Sequence, residues 1–252
     1  MRLVRLAAIG ALLALAGAPA MAQENAPLPK QNWSFSGPFG TIDRAAAQRG
    51  FQVFKEVCSN CHSLREGYYR NLTGIGLTAE QVAAVAASVT VPTIGDDGQP
   101  AERPARPADH FRSPFPNENA ARTANNGALP PDLSVITKAR EGGADYVFGI
   151  LTGYADPPPN MKMADGMNYN KYFPGNQIAM PQPLQNGQVT YADGSPNTVA
   201  DEARDVVTFL SYMSEPEIEQ RKRIGVRMVL FLIVLTGLVY AVKRKVWANV
   251  EH

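Results

Sequence analysis

Two cysteines and a histidine stand together in this chain, as Cys58-Ser59-Asn60-Cys61-His62. Thiols separated by two residues can add to the two vinyl groups of a haem, and the adjoining imidazole can then ligate the iron from one face. These are the only cysteines in the 252 residues, and His62 is one of three histidines. A C-x-x-C pair also serves thiol–disulfide exchange, but that chemistry goes with a βαβ context that this sequence lacks. A zinc site needs four ligands, and His110 and His252 are poorly placed to complete one. The pentad therefore favours one covalently attached haem c, with His62 as an iron ligand.

A haem iron held by His62 is six-coordinate only if a second side chain reaches it. The soluble part offers Met161, Met163, Met167, Met180 and Met213. A thioether ligand has to be held rigidly, and Met180 in Ile178-Ala179-Met180-Pro181-Gln182-Pro183 is braced by two prolines. Met161 and Met163, between turn residues, are the second choice. Met213 falls on a helical face and reads as core filling. His110 lies in a loop, where a histidine is more often solvated, so a bis-histidine iron is the lesser alternative. Arg140 can present its planar guanidinium to a haem propionate, or simply complement a helix dipole.

The elements that must position these groups are mostly helical. Ala47, Phe51, Phe54 and Val57 recur at helical spacing, so a helix beginning after Thr41 runs straight into Cys58. Gly50, one turn before Phe54, allows a second helix to cross closely. Thr198 and Asp201 start that second helix, whose apolar face is Ala203, Val206, Val207, Leu210 and Met213. Pro216 then kinks or restarts the chain. A short helix is expected over 78–88, with Thr78 as N-cap and Gln81 completing a capping box. Residues 90–118 read as a long surface excursion. In the block Asn125-Asn126-Gly127-Ala128-Leu129-Pro130-Pro131-Asp132, a turn and an extended strip lead to Asp132, which is expected to cap a helix running to about Arg140. Gly142-Gly143 ends it, another helix covers 144–152, and 153–197 is irregular.

The two ends of the chain read as targeting segments. Residues 1–22 combine Arg2 and Arg5, an apolar run from Leu6 to Ala16 and the small-x-small site Ala20-Met21-Ala22, as in a cleaved secretory signal. Residues 23–40, rich in Pro, Gly and Asn, should be extended. Ile224 to Val242 is 19 residues long with Arg227 as its only charge, reaching roughly 28 Å as a helix, enough to cross a hydrocarbon core. Arg221-Lys222-Arg223 and Lys243-Arg244-Lys245 flank it, and Trp247 is suited to the interface. The expected domains are thus a signal at 1–22, a periplasmic haem domain at 23–220, a transmembrane anchor at 221–245 and a cytoplasmic tail at 246–252. The formal charge of +1 hides an asymmetry, because residues 23–220 hold 15 basic and 22 acidic residues, a net of −7. That balance argues against nucleic acid and suits a basic protein partner.

In several blocks the chain resembles the cytochrome c1 family, the haem subunit of quinol–cytochrome c oxidoreductase (the cytochrome bc1 complex), in its bacterial form. The blocks are VCSNCHS at Cys58, ARTANNGALPPDLS from Ala121, GGADYVFGILTGY from Gly142, YFPGNQIAMPQPL from Tyr172 and the apolar tail. The resemblance implies a mostly α, class I-type cytochrome c fold with long peripheral loops and a single C-terminal transmembrane helix. It implies thioether bonds at Cys58 and Cys61, axial ligation by His62 and Met180, a propionate contact from Arg140, and Pro130 and Pro131 lining the haem edge. It further implies a one-electron carrier between a Rieske iron–sulfur protein and a basic cytochrome c. Cytochrome b would lie against the tail, and proton translocation would be coupled through the complex. The extra cysteine pair and the acidic N-terminal insertion of some members are missing here. A membrane-anchored haem sensor that binds small ligands is the competing reading.

Overall fold

A computed structural model describes residues 26–249; the expected signal at 1–22 and the last three residues of the tail lie outside them. Residues 26–40 contain no regular element, as their composition predicts. Trp33 nevertheless ties this strip to the domain: its ring lies edge-on to Phe148, and its indole N–H donates to Asp145 Oδ1 at 2.8 Å.

Helix α1, Arg44–Glu56, starts where Asp43 accepts from the Ala46 amide at 3.1 Å. It ends immediately before the cysteine motif, as its apolar spacing predicts. Helix α2, Ala79–Ala87, carries the expected capping box between Thr78 and Gln81. The segment read as a long surface excursion contains an antiparallel hairpin of β1, Thr90–Ile94, and β2, Pro100–Pro104. Its proline and charge content masked the pattern, since only alternate residues are even partly covered. His110 is exposed in the following loop, with its ring 3.9 Å from that of Tyr68.

Helices α3, Glu118–Ala124, and α4, Ile136–Ala139, flank the Pro-Pro strip. Helix α5, Gly143–Thr152, follows, and β3, Asn168–Tyr169, pairs with β4, Gln177–Ile178, inside the irregular region. Helix α6, Val199–Ser214, opens on the predicted Thr198–Asp201 box. After a break at Glu215–Glu217 around Pro216, α7, Ile218–Val246, leaves the domain.

The frame is the crossing of α1 and α6. A Cβ placed on Gly50 would lie 1.9 Å from the Asp205 carbonyl oxygen and 2.9 Å from Phe209 Cβ, so only glycine lets the backbones meet. Phe51 and Phe54 pack on Phe209 with ring centres 5.5 and 5.6 Å apart, and Phe54 meets Phe111 edge-on at 6.1 Å. Beside the crossing, Arg49 holds the buried Asp205 carboxylate through two hydrogen bonds of 2.7 and 3.0 Å. Met213 is core, as expected, at 6% exposure. None of the most apolar stretch of α7 is buried, its mean hydropathy is 2.2, and the helix is long enough to cross a membrane.

Candidate functional site

The pentad is one tight turn closed on the end of α1. The Cys58 carbonyl accepts from both the Cys61 and the His62 amides, at 3.1 and 2.9 Å. The two intervening residues finish the helix: Ser59 Oγ donates to the Lys55 carbonyl at 2.8 Å, and Asn60 Nδ2 to that of Glu56 at 3.0 Å. Last-turn carbonyls that would lack intrahelical partners are thus satisfied by the residues between the cysteines. No disulfide joins the two cysteines, and burial and the neighbouring Cys61 push the Cys58 thiol up to about 12.

His62 Nδ1 lies 2.8 Å from the Pro131 carbonyl oxygen. A carbonyl only accepts, so Nδ1 carries the proton and Nε2 keeps its lone pair. Burial lowers the pKa of His62, which favours that neutral form. The ring is thereby oriented as metal-ligating imidazoles are, with one nitrogen fixed by a backbone acceptor and the other free.

Asp132 does not cap the following helix. Val135 occupies that position, and α4 is a single turn. The Asp132 carboxylate instead fastens the Pro-Pro strip to the residues after His62. One oxygen accepts from Ser63 Oγ at 2.7 Å and the Arg65 amide at 2.9 Å, and the other from the Ser134 amide at 2.9 Å. Burial alone would raise this carboxyl, but hydrogen bonds from Ser134, Arg65 and Ser63 outweigh it and hold the pKa below the usual value. Leu133 N–H to the Ser63 carbonyl, at 2.9 Å, completes the zipper. Local capping signals lost here to partners nearly 70 positions away, which no local pattern reveals.

Met180 sits just after β4, half-buried. Its carbonyl accepts from the Tyr154 hydroxyl at 3.0 Å and from Asn168 Nδ2 at 3.3 Å. Below it, the fully buried Asn170 donates to the Ile150 carbonyl at 2.8 Å, and Asn176 Nδ2 donates to the carbonyls of Asn170 and Lys171 at 3.1 and 3.0 Å. The loop is therefore braced by a tyrosine and three asparagines in addition to its prolines. Sequence reasoning missed these four residues, whose only signal was their concentration in an irregular stretch. Met161 and Met163 are half-buried on a separate turn, and Met167 is exposed.

Arg140 is exposed just beyond α4, and its guanidinium makes only a 3.3 Å contact to the Ala139 carbonyl. Among the described residues it has no carboxylate partner. The Tyr146 phenol is raised by burial and lowered by the Arg140 charge, which places the two groups near each other. A cation without an acid, beside a phenol, suits the carboxylate of a bound group. Pro130 is half-buried and Pro131 exposed, so the strip presents apolar edges. The donor set fits a covalently held haem: two thiols, an imidazole with a free Nε2, a braced thioether and an unneutralised guanidinium.

A helical domain carrying this motif, with one long apolar helix at its end, fits a membrane-anchored c-type haem protein. The Cytochrome C1 family model matches residues 33–250. The chain is 41% identical to cytochrome c1 of Rhodospirillum rubrum, over 98% of this chain and 97% of that protein. It is 47% identical to the mitochondrial cytochrome c1 haem protein of Saccharomyces cerevisiae, over 88% of this chain and 73% of that one. A cytochrome b/c1 protein of Bradyrhizobium diazoefficiens is 48% identical over 98% of this chain, which spans only 39% of that longer relative. The chain belongs to the cytochrome c1 family, and its cofactor is haem c.

Proposed function

We propose that this protein carries single electrons from a Rieske iron–sulfur protein to a basic cytochrome c, as the haem subunit of a quinol–cytochrome c oxidoreductase. In this reading Cys58 and Cys61 would form the thioether bonds, and His62 and Met180 would ligate the iron. Arg140 offsets a propionate charge, and Pro130 and Pro131 line the ring edge. The observation that carries the reading is the hydrogen bond from His62 Nδ1 to the Pro131 carbonyl, which leaves Nε2 free for iron. When bound, the haem supplies a reversible ferric–ferrous couple, and histidine–methionine ligation puts it at high potential. The chain's own residues keep the couple simple. His62 and Met180 would hold the iron from either side, which would leave small ligands no open site. Tyr154 and Asn168 hold the Met180 backbone so that its thioether does not swing away with each change of charge. Helix α7 would anchor the domain on the periplasmic face beside cytochrome b, with proton translocation belonging to the complex.

Membranes bearing the protein should contain haem c that ascorbate reduces and whose spectrum carbon monoxide leaves unchanged. Met180→Leu should lower the midpoint potential sharply and let the ferrous protein bind carbon monoxide. An unchanged potential would assign the sixth position to another residue. A wild-type spectrum that shifts with the gas would favour the ligand-binding sensor.

A further inference from the structure

Where α7 leaves the domain it forms one wall of a cavity of about 420 Å³ that the electron-transfer reading does not use. The opposite wall is the Pro38–Thr41 loop, and the α7 side is Glu219, Lys222, Arg223, Val226 and Arg227. Steps of three and four residues place these positions on one stripe of the helix. Part of the stripe is already occupied in holding the loop. Lys222 Nζ donates to the carbonyls of Phe35 and Gly40, and Glu219 accepts from the Ile42 amide at 3.0 Å and the Arg44 guanidinium at 3.2 Å.

Arg223 and Arg227 are different. Both are exposed, they sit one turn apart, and among the described residues neither makes a hydrogen bond or an ion pair. Across the cavity the Phe39 ring is 80% exposed. One turn further along, the same stripe continues as the exposed apolar side chains Leu230, Phe231 and Val234. Two exposed guanidiniums therefore lead directly into an apolar face at the point where the helix would enter the bilayer; Arg223 also feels the Glu219 carboxylate one turn back, which is already held by Ile42 and Arg44. Guanidinium forks match phosphate oxygens, and arginines at such a level extend their heads towards the headgroups. A free phosphate would use the cations and leave the apolar continuation without a role; an amphiphile uses both.

We propose that this cavity binds the headgroup of one anionic phospholipid, with Arg223 and Arg227 on its phosphate and its acyl chains along Leu230, Phe231 and Val234. The proposal rests on α7 spanning a membrane, and it is independent of which residues ligate the haem.

The test uses haem-loaded, full-length protein in a neutral detergent, titrated with phosphatidylglycerol or phosphatidylcholine and read by native mass spectrometry. Arg223→Gln/Arg227→Gln should weaken phosphatidylglycerol retention roughly thirtyfold, since each basic residue near a membrane surface contributes about fivefold to the attraction for anionic lipid. Phosphatidylcholine retention should stay low in both proteins, and an unchanged haem spectrum certifies the fold. Equal retention of phosphatidylglycerol by variant and wild type would overturn the site. So would displacement of the lipid by millimolar inorganic phosphate, which would make it a site for free anions. A variant that keeps the lipid but loses a co-purifying protein would also overturn it and assign the face to that neighbour. Alkaline carbonate extraction of membranes reads the anchor separately: release of the chain would remove the spanning helix itself, whereas retention with unaltered lipid binding would sink the lipid site alone.

Discussion

Asp132 is the side chain whose loss would reach the cysteine motif without removing a proposed ligand. It satisfies a hydroxyl and two backbone amides, two of those three donors belonging to residues just after His62. Asp132→Ala would leave all three without an acceptor, at a cost of about 2–3 kcal/mol. Urea unfolding should record that loss, and the ratio of haem-stained to total protein should fall with it. Unchanged stability would mean that the strip is held by packing alone. The sequence announced the chemistry of this site through the pentad and left its geometry open. The choice of Nδ1 as the protonated nitrogen of His62 depends on a proline carbonyl 69 positions away.

At the level of elements, the crossing of α1 and α6 sets where the pentad lies. An alanine at position 50 would favour the helix by about 1 kcal/mol on propensity alone. Its methyl group would stand 1.9 Å from a backbone oxygen, so the helices would have to part. Overpacking of that kind costs about 1–3 kcal/mol, and backbone moves less easily than a side chain. Gly50→Ala is therefore expected to destabilise the domain despite its better propensity. A higher unfolding midpoint for the variant would contradict the close crossing. Both helices were legible, because caps and apolar spacing are local. The β1–β2 hairpin and the β3–β4 pair were not. Their strands are short and proline-rich or only two residues long, and pairing rather than composition defines them.

For the whole molecule the governing quantity is charge distribution. A net of −7 over residues 23–220 beside a basic anchor makes the domain attractive to a basic carrier at long range. Turnover of the complex with a lysine-rich cytochrome c is expected to fall severalfold as salt rises well past 0.1 M, where the screening length drops below about 10 Å. A rate indifferent to salt would remove acidic docking from the account.

By itself the sequence carried the C-x-x-C-H motif, the helical frame and the terminal apolar span. Each is written in residue types at short, fixed spacings, which local geometry converts directly into thiol pairs, helix faces and a length sufficient for a bilayer. Tertiary structure alone decided which imidazole nitrogen is free, what holds the Met180 loop, and that Asp132 fastens a strip instead of capping a helix. Those outcomes come from competition among hydrogen-bond donors for acceptors on other segments, and these winning partners lie 12 to 69 positions apart in the chain.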